Sequence, residues 1–99
     1  MVSQELIDKF NNELAKMVKQ SIEEIQYRPT LLIRMANEEG FYHASRKLIS
    51  KPENTEGFTR LLLEKRTDLS IEYLVVQPKY ESLFTEKEIK LCKQRLDLK

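Results

Sequence analysis

Glycine occurs twice in these 99 residues, proline three times, cysteine and histidine once each, and tryptophan not at all. So few glycines and prolines exclude a loop-rich β-fold and a disordered linker. Gly40 and Gly57 stand far apart, so no glycine-rich phosphate loop exists. The lone Cys92 rules out an internal disulfide framework and fits a reducing compartment. The lone His43 has no ligand-like spacing around it, so no metal and no cofactor is expected. No stretch approaches the ~20 apolar residues that cross a bilayer. The opening "MVSQELIDKF" is acidic and amphipathic, unlike a signal peptide, so a cytoplasmic protein with no membrane contact is expected.

Charge of one sign is also lacking, since the net charge is +1. No global field therefore favours nucleic acid or anionic lipid. Residues 1–27 hold five acids and three bases, residues 28–66 eight bases and five acids, and residues 67–99 six of each. The basic middle is weaker than the concentrated stripe of a strong DNA binder.

What is present is helical periodicity. Leu6, Ile7, Phe10, Leu14, Met17, Val18, Ile22 and Ile25 recur at three- and four-residue steps. They predict a long helix from Ser3, a plausible N-cap, to Tyr27, just ahead of Pro29. A second helix is expected from Pro29 or Thr30 to Gly40, burying Leu31, Leu32, Met35 and Ala36. A third, Phe41 to Ser50, would bury Phe41, Ala44, Ser45 and Leu48, with Tyr42 and Ile49 beside that stripe. "SKPENTEG" reads as a loop and "FTRLLLEK" as a two-turn helix. "IEYLVV" has β-branched character but no strand to pair with, so helix is preferred, closed by Gln77-Pro78. Thr85 and Glu88 are spaced as a capping box, and Ile89, Cys92 and Leu96 give the last helix an apolar face. The expectation is all-α: a compact bundle of five to six helices, one domain over residues 1–99, with the long helix at about 3–27 and short helices over about 29–97.

Two surfaces are candidates for function. In "RMANEEGFYHASRKLI", Ala36 and Gly40 have the spacing of a helix-turn-helix, in which the small residue permits close crossing and the glycine a sharp turn. His43, Arg46, Lys47 and Ser50 then share one face, with Arg46 suited to guanine and Lys47 to phosphate. Against this, Arg46 occupies the position where an apolar residue should plug the seam, and Glu39 precedes the glycine. An ordinary helical hairpin with a solvated basic face accounts for most of the pattern. The second surface is the stripe of the long helix. Leu6, Phe10, Leu14 and Met17 could meet a partner protein or a second copy, or could be covered within the domain.

Catalysis is disfavoured. Glu23-Glu24 and Glu38-Glu39 are neighbours on helices and point about 100° apart, so neither pair converges on one reacting atom. Cys92, on an apolar face, reads as a small core residue.

From Tyr27 onward, "YRPTLLIRM", "ASRKLI" and "TEGFTRLLLEKRTDLSIEYLVVQPKYESLFTEKEI" resemble a family of small uncharacterised bacterial all-helical proteins. Gly57-Phe58 match its helix start. Arg66, Asp68, Leu69, Ser70, Ile71 and Glu72 match a following segment, and Leu83, Phe84, Thr85 and Glu88 match the opening of the last helix. The chain departs at Glu39-Gly40, where relatives often carry a second glycine. The resemblance implies an accessory of a nuclease or mobile-element defence system. Most shared residues read as caps and stops; Arg66, Tyr73 and Tyr80 are the ones suited to surface contacts. The reading is a non-enzymatic protein-interaction module, with a DNA- or RNA-associated module over residues 31–50 as the alternative.

Overall fold

The computed structural model describes residues 3–51 and 56–97. They form an all-α compact globule of six α-helices and two 3₁₀ segments. The helices are α1 (Gln4–Ile25), α2 (Thr30–Glu39), α3 (Phe41–Ile49), α4 (Glu56–Leu63), α5 (Ile71–Val75) and α6 (Glu86–Asp97). The 3₁₀ segments are Thr67–Leu69 and Pro78–Leu83.

Ser3 caps α1 by accepting the Leu6 N–H. The helix ends two residues earlier than the proline rule suggests. Gln26 turns left-handed (φ 50°), and its N–H and that of Tyr27 both donate to the Ser21 carbonyl. The Ser21 hydroxyl lies 2.9 Å from the Val18 carbonyl and 3.0 Å from that of Tyr27 and shares its one proton between them, closing the corner from inside. At roughly 33 Å by its rise per residue, α1 nearly matches the 36 Å long dimension of the molecule. Its stripe is therefore covered along most of its length by α3 and both 3₁₀ segments.

The core is built on an aromatic cluster. Phe10 meets Tyr42 and Tyr80 edge-on, with ring centroids 6.1 and 5.2 Å apart, and lies 5.5 Å from Phe84. Leu14, Leu48, Ile49, Leu74, Val75, Leu83 and Cys92 pack around it. Several expected positions move. Tyr42 is central rather than flanking, because its hydroxyl crosses the core to donate to the Leu83 carbonyl. Phe41 is only half-buried. Leu31 is not inward but 41% exposed, since the first turn of α2 opens onto a pocket. Tyr80 is no surface residue; it is fully buried against Phe10.

Local side-chain caps account for three of the six α-helix starts among the described residues. Ser70 accepts the Tyr73 N–H and so caps α5, confirming "IEYLVV" as helical at Ile71–Val75. Thr85 and Glu88 form the reciprocal capping box, each side chain accepting the other's backbone N–H at 3.1 and 2.8 Å. α4 begins at Glu56, so Gly57 lies within it rather than in a loop. The expected loop over 50–57 falls partly on residues 52–55, outside the described residues. Pro78–Leu83 forms a 3₁₀ segment that the sequence pattern does not announce; proline at its start matches the absence of a needed donor there.

Candidate functional site

The α2–α3 hairpin turns on one residue. Gly40 holds φ +89°, a conformation that L side chains rarely adopt, and its N–H donates to the Ala36 carbonyl at 2.7 Å. The tight turn read from Ala36 and Gly40 is thus present. The basic face beyond it is largely neutralised by the chain's own acids. Arg46 reaches across to α6 and pairs with Glu88 at 2.9 Å, while Lys47 pairs with Glu39 at 3.0 Å. The Ser50 hydroxyl donates back to the Arg46 carbonyl. His43 is exposed, its ring 5.2 Å from that of Tyr42. His43, Arg46 and Lys47 lie on α3 and Ser50 is its C-cap, but Arg46 and Lys47 are both already partnered.

The α1 stripe is placed differently again. Phe10, Leu14 and Met17 are buried in the core, and only Leu6 keeps partial exposure. A partner cannot reach the three buried side chains while the fold is intact. α1 is covered because α3 and both 3₁₀ segments pack against it.

Two polar arrangements escaped the sequence reading. Glu72 on α5 and Arg95 on α6 pair at 3.2 Å with both side chains only 4% exposed. Arg95 also donates to the Lys51 carbonyl, tying the exit of α3 to α6. Burial raises the Glu72 carboxyl above its usual range, its own backbone N–H and the Arg95 charge pulling the other way. Burial, reinforced by the Glu72 charge, also pushes the nearby Cys92 thiol up to about 12, so it stays protonated and unreactive near neutral pH. The second arrangement joins α1 to the Pro78–Leu83 segment: Tyr80 donates to Glu13, and Lys79 pairs with the same carboxylate at 2.9 Å. Burial opposes ionisation of Glu13, but Tyr80 and Lys79 outweigh it and hold the carboxyl below its ordinary value. Sequence separations of 23 and 67 residues hide both pairs from any local pattern.

Arg66, a candidate surface contact, is engaged within the chain. It binds Glu24 at 2.7 Å and grips both oxygens of Asp68, so Asp68 serves as an ion-pair partner rather than a cap. Tyr73 remains 43% exposed. Among the described residues no group of three or more His, Cys, Asp or Glu side chains could hold a metal ion, and no helix is long and apolar enough to cross a membrane.

Two concave features are present among the described residues: a wider recess of about 440 Å³ between α5, the Pro78–Leu83 segment and α6, and a pocket of about 250 Å³ between α1, α2, α4 and α5, with Leu48 of α3 and Leu69 also on its wall. Leu14, Val18, Leu32, Phe58, Leu61 and Ile71 make its walls apolar. Ser21, Ser70 and Glu72 also line it, each already hydrogen-bonded inside the chain. Its mouth is the α1–α2 corner, where Arg28, Pro29, Thr30 and Leu31 line the edge. No family model, curated protein or solved structure matches this chain.

Proposed function

We propose that the chain is a non-enzymatic helical module that binds a partner protein through this pocket, not along α1. The observation that carries the reading is an open apolar pocket edged by an exposed leucine, Leu31. Its volume, about 250 Å³, lies below the roughly 300–1,000 Å³ of sites for drug-sized ligands, so it suits a single inserted side chain. A buried apolar anchor in a pocket is how most interfaces concentrate their binding energy. The pairing of Arg46 with Glu88 and of Lys47 with Glu39 supports this reading over nucleic-acid binding, because phosphate contacts would have to displace both acids. The resemblance noted from the sequence adds the setting: an accessory to a bacterial nuclease or defence system, which the genes beside this one would test.

The experiment compares tagged wild-type chain with Leu31→Asp in nuclease-treated lysate of the native host. The expected result is one stoichiometric protein partner that persists at about 1 M salt, where surface charge is screened, and is lost with Leu31→Asp. Recovery of salt-labile nucleic acid instead, or a partner indifferent to Leu31→Asp, overturns the proposal.

A further inference from the structure

We infer that the pocket's occupant is the C-terminal residue of a partner chain, a leucine or phenylalanine whose own carboxylate sits at the mouth. This rests on the pocket reading above and names the chemistry that the pocket would select.

Size limits the occupant first. A cavity of about 250 Å³ takes a single anchor, not the three or four side chains that an amphipathic helix lays into a groove. The apolar walls then choose an aliphatic or aromatic group. Charge supplies the rest. Glu72 borders the pocket but is neutralised by Arg95, so the interior presents a closed ion pair. Arg28, on the edge, is exposed and has no ion-pair partner among the described residues. A negative group on a partner that fills the pocket would complement Arg28 at that edge. The start of α2 reinforces the same sign. Pro29 provides no side-chain cap, and Thr30 and Leu31 stand at the edge with their backbone N–H groups unclaimed by the described residues.

An apolar side chain and a carboxylate then reach neighbouring positions. A C-terminal residue carries both on one Cα, and no chain has to continue past the crowded α1–α2 corner. An internal Leu-Glu pair would place its acid a residue away, with the following backbone pressed against Leu31.

The test uses the full chain and four hexapeptides: one ending in free leucine, one in free phenylalanine, the leucine peptide as its C-terminal amide, and one with an internal Leu-Glu step and an amidated end. Titration is followed by the methyl resonances of Val18, Leu61 and Ile71. The free acids should bind saturably at these methyls, and the amide about tenfold more weakly, as expected for loss of one charge-assisted contact. Arg28→Gln should shrink the difference between acid and amide to the part owed to the α2 N-terminus, while the thermal midpoint stays unchanged, since Arg28 is exposed. Equal binding of acid and amide to the wild type, tighter binding of the internal Leu-Glu peptide, or no saturable shift overturns the inference. If the peptides fail while a lysate partner still depends on Leu31, the pocket reading stands and only the C-terminal anchor falls.

Discussion

Glu72 and Arg95, 23 residues apart, form an ion pair at 3.2 Å whose two side chains are almost wholly withdrawn from solvent. Such a pair contributes little net stability but punishes the loss of either member. Arg95→Ala should lower unfolding free energy by about 3–5 kcal/mol, because it strands a buried carboxylate and frees the Lys51 carbonyl. The double change Glu72→Leu with Arg95→Met should recover most of that loss. Urea unfolding of the three variants decides it; a single-mutant cost below about 1 kcal/mol would show the pair to be solvated.

Two of the perturbed carboxyls, Glu13 and Glu72, respond to acid in opposite directions. Glu13 is held low, so the stability it contributes is present above its unfolded pKa of about 4.3 and is lost as pH falls through its folded value. Glu72 is held high, so its contribution is present below that unfolded value and is lost as pH rises through its folded one. Tyr80→Phe keeps the ring but removes the hydrogen bond to Glu13. It should cost about 1 kcal/mol at neutral pH, a modest figure because Glu13 is over a third exposed, and should flatten the acid limb of the stability profile. Chemical denaturation at several pH values would reveal an unchanged acid limb if the bond is immaterial.

Asn11, in the middle of α1, caps α3. Its side-chain oxygen accepts the Tyr42 N–H at 2.9 Å, where Gly40 has no side chain to do so. Asn11→Ala should therefore destabilise the fold by about 1 kcal/mol, the usual cost of a lost N-cap, and Asn11→Asp should retain most of the stability. Faster amide exchange at Tyr42 in the alanine variant would locate the effect; unchanged exchange would refute it.

Lys65 ends α4 with φ +59°, while Arg66 donates back to the Leu61 carbonyl at 2.8 Å. A left-handed residue with a Cβ is strained by about 1–2 kcal/mol, and glycine removes that strain at some cost in unfolded-state entropy. Lys65→Gly should raise stability by about 0.5–1 kcal/mol, visible as a higher thermal midpoint. A lower midpoint would mean that the lysine side chain contributes more than its backbone costs.

The residues themselves determined the helices and their ends. Apolar spacing from Leu6 to Ile25 specified α1, Gly40 specified the hairpin turn, and Ser3, Ser70 and the Thr85–Glu88 box specified three starts, because each acts within a few residues. Tertiary structure decided which apolar and charged faces remained available. Nothing local marks Phe10, Leu14 and Met17 as core rather than interface; that depends on α3 and the 3₁₀ segments covering α1. Nothing local assigns Glu88 to Arg46 or Arg95 to Glu72, since those partners meet only when α6 docks on α3 and α5. The pocket arises the same way, from the gap left where four helices of unequal length meet. Short-range hydrogen bonds and periodicity are written in consecutive residues, whereas burial and ion pairing are properties of segments brought together, and the candidate site is made of the latter.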